Sequence, residues 1–218
     1  ALQHTGLIKL SYVKLLQDGH VDLSDLEKLL LESDEKTLVS LMHANNEIGN
    51  MLDWNAVGQL CMKYNAIFHS DTVQTVGHFP IDLANTPVHF ITGAAHKFHG
   101  PKGVGLLYIN QNISIKPFIF GGGQERNMRA GTENIYGIVG FAKALEIATQ
   151  NYDIDRSKIE GLKKRMQEKL TEVFPGIVFN GDVNGKSLYT VLSAGFPKTP
   201  KAEMLLMNLD INHICASG

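Results

Sequence analysis

TLVSLMHANNEIGNMLDWNAVGQLCMKYNAIFHSDTVQ, residues 37–74, holds two short apolar runs, each followed by a polar cluster, with an amphipathic stretch between them. Residues 37–42 suit a buried strand, and residues 66–70 read as another. Between them Asp53 can cap a helix that carries Trp54, Val57, Leu60 and Cys61 at helical spacing. Upstream, Ser24-x-x-Glu27 is a capping-box pattern ahead of a helix whose apolar stripe is Leu26, Leu29 and Leu30. Downstream, residues 88–92 and 104–109 are further strand candidates, separated by a loop rich in Gly, His and Lys. This alternation over residues 20–110 predicts an α/β sheet, mixed or mainly parallel.

The flanks read differently. Leu7-Ile8-Lys9-Leu10 is strand-like and follows no start Met, as though cut from a longer chain. From Glu133 the pattern turns helical, with Ile135, Ile138, Val139, Ala142 and Leu145 on one face, and a second helix is expected over residues 154–173. Short strands are expected at 177–179 and 187–196, then a helix near 202–209. A soft domain boundary is expected around residue 147, dividing the chain into 1–147 and 148–218.

Composition excludes several classes. The chain has 218 residues, enough for one large domain or two modest ones, and is 44% hydrophobic and 19% charged. Lys+Arg 20 against Asp+Glu 22 leaves a net charge of −2, which gives no general reason to bind nucleic acid or an anionic membrane. Two cysteines make no disulfide framework, so a reducing, cytoplasmic compartment is expected. No apolar run could span a bilayer, and the first residues show no signal-peptide pattern.

In a sheet with helical crossovers, ligands sit beyond the carboxyl ends of the strands. Three polar clusters fall there: His43-Ala44-Asn45-Asn46-Glu47, Asp71-Thr72-Val73-Gln74, and His96-Lys97. A carboxylate, carboxamides and a lysine on one crevice suit a planar heteroaromatic cofactor with a ring nitrogen, a phenolic oxygen and an aldehyde. Asp71 would keep the ring nitrogen protonated, so that the ring acts as an electron sink. Asn46 and Gln74 would hydrogen-bond the ring oxygen, and Lys97 would condense with the aldehyde. Lys97 alone would be an ordinary surface lysine; the frame HK-x-x-GPKG, between a strand and a Gly-rich turn, singles it out. His43, His69, His78 and His99 lack metal-ligand spacing, and no metal is expected.

The segments HANNEIG (43–49), HSDTVQTVGHFPIDL (69–83), AAHKFHGPKGVGLLY (94–108) and GGGQERNMRAGTENI (121–135) resemble the cysteine desulfurases of the NifS/IscS type. These are pyridoxal-phosphate (PLP) enzymes of the class V aminotransferase group with the type I fold. The resemblance implies the large, mainly parallel-sheet domain of that fold, plus part of a smaller α+β C-terminal domain. It implies that Lys97 holds the cofactor, that His96 contacts its phosphate, and that Asp71 partners the pyridinium nitrogen. Asn46 and Gln74 match the ring-oxygen contacts, the family register favouring Asn46 over Asn45. Thr132, in RAGT, matches a threonine that reaches the phosphate of a neighbouring subunit, which implies a homodimer. The implied reaction turns L-cysteine into L-alanine and passes sulfur, as a persulfide on an enzyme cysteine, to an acceptor scaffold for iron–sulfur cluster or thiol-cofactor assembly.

The chain also departs from the family pattern. Ala94 stands where the family has a phosphate-contacting serine, one hydroxyl donor fewer, worth about 0.5–1.5 kcal/mol. Residues 181–189 lack the usual Pro-Asn step. The nucleophilic cysteine is expected just beyond Gly218, the phosphate-holding loop and the ring-stacking histidine before Ala1, and the substrate-carboxylate arginine after Gly218. Cys215 is read on a strand-like run over 211–216, and Cys61 on the buried stripe of a helix; neither is assigned the chemistry. Gly121-Gly122-Gly123 could cradle phosphate or allow an interface turn, and Arg126 and Arg129 read as interface or salt-bridge residues. Rival readings are a selenocysteine lyase or another class V lyase, a non-catalytic fragment or scaffold, and a purely structural α/β domain.

Overall fold

A computed structural model describes residues 3–199 and 202–218; Ala1 and Leu2, at the start of the chain, lie outside the described residues. Helix α1, Leu23–Leu31, begins one residue before the expected capping box. Asp22 is the cap: its carboxylate accepts from the Ser24 and Asp25 N–H groups at 2.9 and 3.2 Å. Glu27 turns outward instead, accepting from Lys63 Nζ at 2.6 Å and the Tyr64 hydroxyl at 3.0 Å, which ties α1 to the helix after it.

Strand β1, Leu38–Met42, leads through a polar loop into α2, Trp54–Lys63, which Asp53 caps by accepting from Ala56 N–H. Strands β2 (Ile67–Asp71), β3 (Phe90–Ala94) and β4 (Gly105–Ile109) complete a four-stranded sheet in the order β1-β2-β3-β4. β1, β2 and β3 run parallel, and β4 returns antiparallel to β3. The expected α/β sheet is present, mainly parallel. Its core joins Val39, Phe68 and Ile91 from the strands to Trp54, Val57 and Cys61 from α2 and Leu26 and Leu30 from α1. The one polar group α2 sends into that core is satisfied: Trp54 Nε1 donates to Ser70 Oγ at 3.1 Å, and Ser70 Oγ donates to the Leu41 carbonyl at 2.8 Å.

Residues 7–10 form no strand. A strand needs a ladder partner, and the first pairing among the described residues is the later Leu15–Val21 bridge. The two expected helices after Glu133 are one: α3 runs unbroken over Ile135–Val173, capped by Asn134, which accepts from Gly137 N–H. The apolar pattern lapses around residues 149–155, but no Gly or Pro between Gly140 and Gly161 breaks the backbone. Of the expected face only Leu145 packs inward, and Ala142 is exposed. Ile135, Ile138 and Val139 are exposed, while Phe141, Ala144, Leu145 and Ala148 pack on the sheet domain through Phe98, Val76 and Ala95.

After α3 the expected strand over 187–196 shrinks to β6, Ala194–Gly195, paired with β5, Val178–Phe179. Its earlier part is held elsewhere, by a Ser187–Asn50 bridge and by Leu188 N–H donating to the Gly49 carbonyl at 2.8 Å. A 3-10 turn, Ala202–Met204, leads into α4, Leu205–Ile211. The expected strand-like run over 211–216 is absent: α4 ends at Ile211, and the exposed Cys215 lies in irregular chain. Among the described residues no helix is long and apolar enough to cross a membrane.

Candidate functional site

Because β1, β2 and β3 are parallel, their carboxyl ends share one edge. Met42 lies opposite Asp71, and Asp71 opposite Thr92. β4 starts from that same edge, Gly105 facing Ala94. The loops bearing Asn46, Gln74 and Lys97, and the Gly100-Pro101-Lys102-Gly103 turn, therefore all leave one rim, with Asp71 closing β2 there.

In the first loop His43 is a structural pin. Its N–H donates to the Asp71 carbonyl at 2.8 Å, its ring stacks on Trp54 at 3.8 Å, and Nδ1 shares a 2.9 Å hydrogen bond with Thr75 Oγ1. Only 9% exposed, the imidazole is driven down to a pKa of about 4 by burial. Unfolded, the same ring protonates near pH 6.5, so its contribution is complete above that value and is lost as pH falls toward 4. The loss amounts to about 3 kcal/mol. Burial holds His89 low in the same sense, and its Nδ1 must stay unprotonated to accept Phe68 N–H at 2.9 Å. Urea unfolding of the protein at pH 7 and pH 4.5 is expected to show this loss, with His43→Gln flattening the difference; an unchanged pH slope in that variant contradicts the assignment.

Asn45 is committed to the loop, its Oδ1 accepting from Glu47 and Ile48 N–H. Asn46 is exposed, and its Nδ2 donates to the Glu47 carboxylate. Asp71, the last residue of β2, is exposed and accepts Val73 N–H on Oδ1 at 2.9 Å. Its Oδ2 has no hydrogen-bond partner among the described residues. The turn beyond is fixed by Thr72, whose Oγ1 donates to the Thr92 carbonyl at 2.8 Å, and Gln74 rides on it half-buried, its carboxamide without a hydrogen bond among the described residues.

Lys97 sits on a 3-10 turn, Ala95–Phe98, directly after β3. Ala95 and Phe98, three residues apart, are buried, which turns His96 and Lys97 outward between them. Phe98 is 1% exposed and meets the Phe141 ring of α3 edge-on at 5.2 Å. His99 closes the turn in the left-handed region (φ 66°), and Gly100 N–H donates to the Ala95 carbonyl at 2.9 Å. Gly77 must be glycine here: its φ is +79°, and a Cβ would lie 2.6 Å from Phe98 Cβ. The turn is thus rigidly seated, while the Lys97 ammonium has neither an ion pair nor a hydrogen bond among the described residues.

Thr132 is exposed on the segment leading into α3, and among the described residues no hydrogen bond joins it to the rim. Before it, Glu125, Arg126 and Asn127 take positive φ values in succession (47°, 57°, 65°), a left-handed turn unusual for non-glycine residues. Arg129 braces this turn against the chain beyond it, pairing with Glu125 at 3.3 Å and donating to the Gly131 carbonyl at 2.9 Å. Gly121, Gly122 and Gly123 are exposed. Cys61 is fully buried, and burial pushes its thiol up to about 11, which keeps it unreactive. A cavity of about 520 Å³ lies against β1, lined by Val13, Leu15, Val21, Leu41 and Met42 among others, and Lys97 is not part of its lining.

Two residues that the sequence did not single out for the site are linked to Lys97's backbone, one directly and one through the other. His78 Nε2 donates to the Lys97 carbonyl at 2.9 Å, and its Nδ1 meets the Tyr189 hydroxyl at 3.1 Å. A separation of 111 residues between His78 and Tyr189 leaves no local signal for such a pair.

Comparison with known proteins places the chain in a family. The model described as Aminotransferase class-V matches residues 1–218. The chain is 39% identical over 210 residues to a protein named cysteine desulfurase IscS from Clostridium botulinum, covering 96% of this chain and 52% of that protein. It is 35% identical over 209 residues to a Bacillus subtilis protein named putative cysteine desulfurase IscS 1, covering 96% and 54%. Among solved structures, a NifS-like protein from Rickettsia africae superposes with a TM-score of 0.88 at 36% identity, over 94% of this chain and 57% of that one. Another NifS-like protein gives 0.89 at 37% identity, over 99% and 58%. The chain spans about half the length of the curated relatives it matches. A family match along its whole length, on a fold shared with these structures, means that the chain belongs to the class-V aminotransferase family.

Proposed function

We propose that this chain supplies the cofactor-binding part of a PLP-dependent cysteine desulfurase. The observation that carries the reading is the rim itself: parallel strands bring an open Asp71 oxygen, an unpaired Gln74 carboxamide and an uncommitted Lys97 ammonium to one edge. That donor set fits PLP, which needs an anion for its ring nitrogen, a donor for its ring oxygen and an amine for its aldehyde. When bound, PLP supplies an electron sink for the substrate's α-carbon. Asp71 would hold the pyridinium proton, Asn46 and Gln74 would donate to the ring oxygen, and His96 would meet the phosphate. Lys97 Nζ would first fix the cofactor and then move the proton at the substrate Cα.

In this reading L-cysteine becomes L-alanine, and its sulfur passes as a persulfide to an acceptor scaffold protein in the cytoplasm. The protein works as a homodimer in which Thr132 serves the partner's phosphate site. Exposed apolar side chains on both sides of Thr132 in sequence support a protein-covered surface: Phe118 at 94%, Phe120 at 81% and Tyr136 at 93% exposure. Residues 1–147 belong to the large domain and 148–218 begin the small one, joined through the continuous α3.

The test is turnover by the full-length protein loaded with PLP. L-cysteine with a thiol reductant is expected to give alanine and sulfide in equal amounts. Turnover of L-selenocysteine alone, or of neither amino acid, overturns the substrate assignment.

A further inference from the structure

We infer that His78 and Tyr189 form a positioning pair that fixes the main chain of Lys97 and makes the lysine's placement depend on the segment around residue 188. The inference rests on the reading above, in which Lys97 carries the cofactor, and adds what holds that lysine.

The hydrogen-bond directions follow from chemistry. A carbonyl oxygen only accepts, so His78 Nε2, 2.9 Å from the Lys97 carbonyl, must carry a proton. In the neutral ring Nδ1 is then an acceptor, and the Tyr189 hydroxyl donates to it at 3.1 Å. Tyr189 thereby selects the tautomer that reaches Lys97. It is well placed to do so, being 5% exposed with its ring against Phe79 at 5.5 Å and edge-on to His78 at 5.9 Å. Burial also raises its phenol, which keeps the hydroxyl protonated.

Tyr189 is held in turn from two sides. The neighbouring Leu188 is fully buried; its N–H donates to the Gly49 carbonyl, and its carbonyl accepts from Lys163 Nζ of α3 at 2.8 Å. A chain of contacts therefore runs from the loop after β1 and from α3, through Leu188, Tyr189 and His78, to the Lys97 peptide. Packing of Ala95 and Phe98 seats the two ends of the 3-10 turn. The His78 bond is the one side-chain hydrogen bond to Lys97 itself among the described residues. A shift of the 187–189 segment would rotate the imidazole and release the lysine's peptide, whereas packing at Phe98 alone would not register it.

Three variants of the full-length protein test this: His78→Leu, Tyr189→Phe and His78→Gln. In the cofactor-free protein, hydrogen exchange at residues 97–100 is expected to quicken by about fivefold in His78→Leu, as for loss of one neutral hydrogen bond, and by less in Tyr189→Phe. His78→Gln keeps an N–H near the position of Nε2 and is expected to exchange like the parent. In the PLP-loaded protein the pH midpoint of the cofactor's visible absorbance is expected to move in His78→Leu and to return in His78→Gln. Unchanged exchange in both His78→Leu and Tyr189→Phe, or a glutamine variant as loose as the leucine one, overturns the pair. Borohydride trapping in the parent reports separately on the cofactor reading: no adduct at Lys97 removes that reading, while the exchange result still decides whether the pair holds the turn.

Discussion

Lys97→Ala is expected to abolish covalent attachment of PLP and to leave the fold standing. Loss of proton transfer alone lowers turnover by about 10²–10⁴-fold, and loss of the amine that anchors the cofactor adds to this. Stability should move by no more than about 0.5 kcal/mol. The side chain is exposed, and its ammonium has no partner among the described residues, so nothing in the folded protein is orphaned by removing it. Urea midpoints and L-cysteine turnover, measured on parent and variant, check both halves. Retained turnover contradicts the catalytic assignment; a large fall in the midpoint contradicts the view that packing at Ala95 and Phe98, not the lysine, seats the turn.

Phe98→Ala, one residue away, is expected to do the opposite in stability. The ring is 1% exposed, meets Phe141 and belongs to one apolar cluster with Val76 and Leu145, and truncating such a side chain costs about 3–5 kcal/mol. For a domain whose total stability is about 5–15 kcal/mol, that is a large share. The loss should also spread to the cofactor, because Phe98 joins the turn carrying Lys97 to α3. A drop in urea midpoint together with weaker PLP retention is the expected pair of results. An unchanged midpoint would mean that the turn is held by something other than this contact.

These two substitutions mark what could and could not be read from the residues. The strands at 37–42, 66–70, 88–92 and 104–109 were legible because apolar runs bounded by polar clusters leave few alternatives, and each appears within a residue or two at most of its ends. The polar clusters at strand ends were legible for the same reason: a parallel sheet delivers them to one rim. The cap of α1 was misplaced because Asp22, Ser24 and Asp25 all offer N-cap chemistry, and only the backbone decides which carboxylate points at free N–H groups. The face of α3 is legible only in part, at Leu145, for a deeper reason. Ile135, Ile138 and Val139 are the more apolar stripe, yet α3 makes its close approach at Gly140, where a Cβ would lie 2.7 Å from Pro101 Cγ, and Phe141 beside it meets Phe98. His78 was visible only as a histidine without metal-ligand spacing, and Tyr189 not at all, since their partnership exists only once α3 has carried the chain back across the sheet domain.

Everything proposed for the rim turns on Lys97 as the residue that takes the cofactor. The most direct measurement is to incubate the full-length protein with PLP, reduce it with borohydride, and map the labelled peptide by mass. A single pyridoxyl adduct is expected, on the peptide containing Lys97. An adduct on any other lysine, or none, would contradict that assignment.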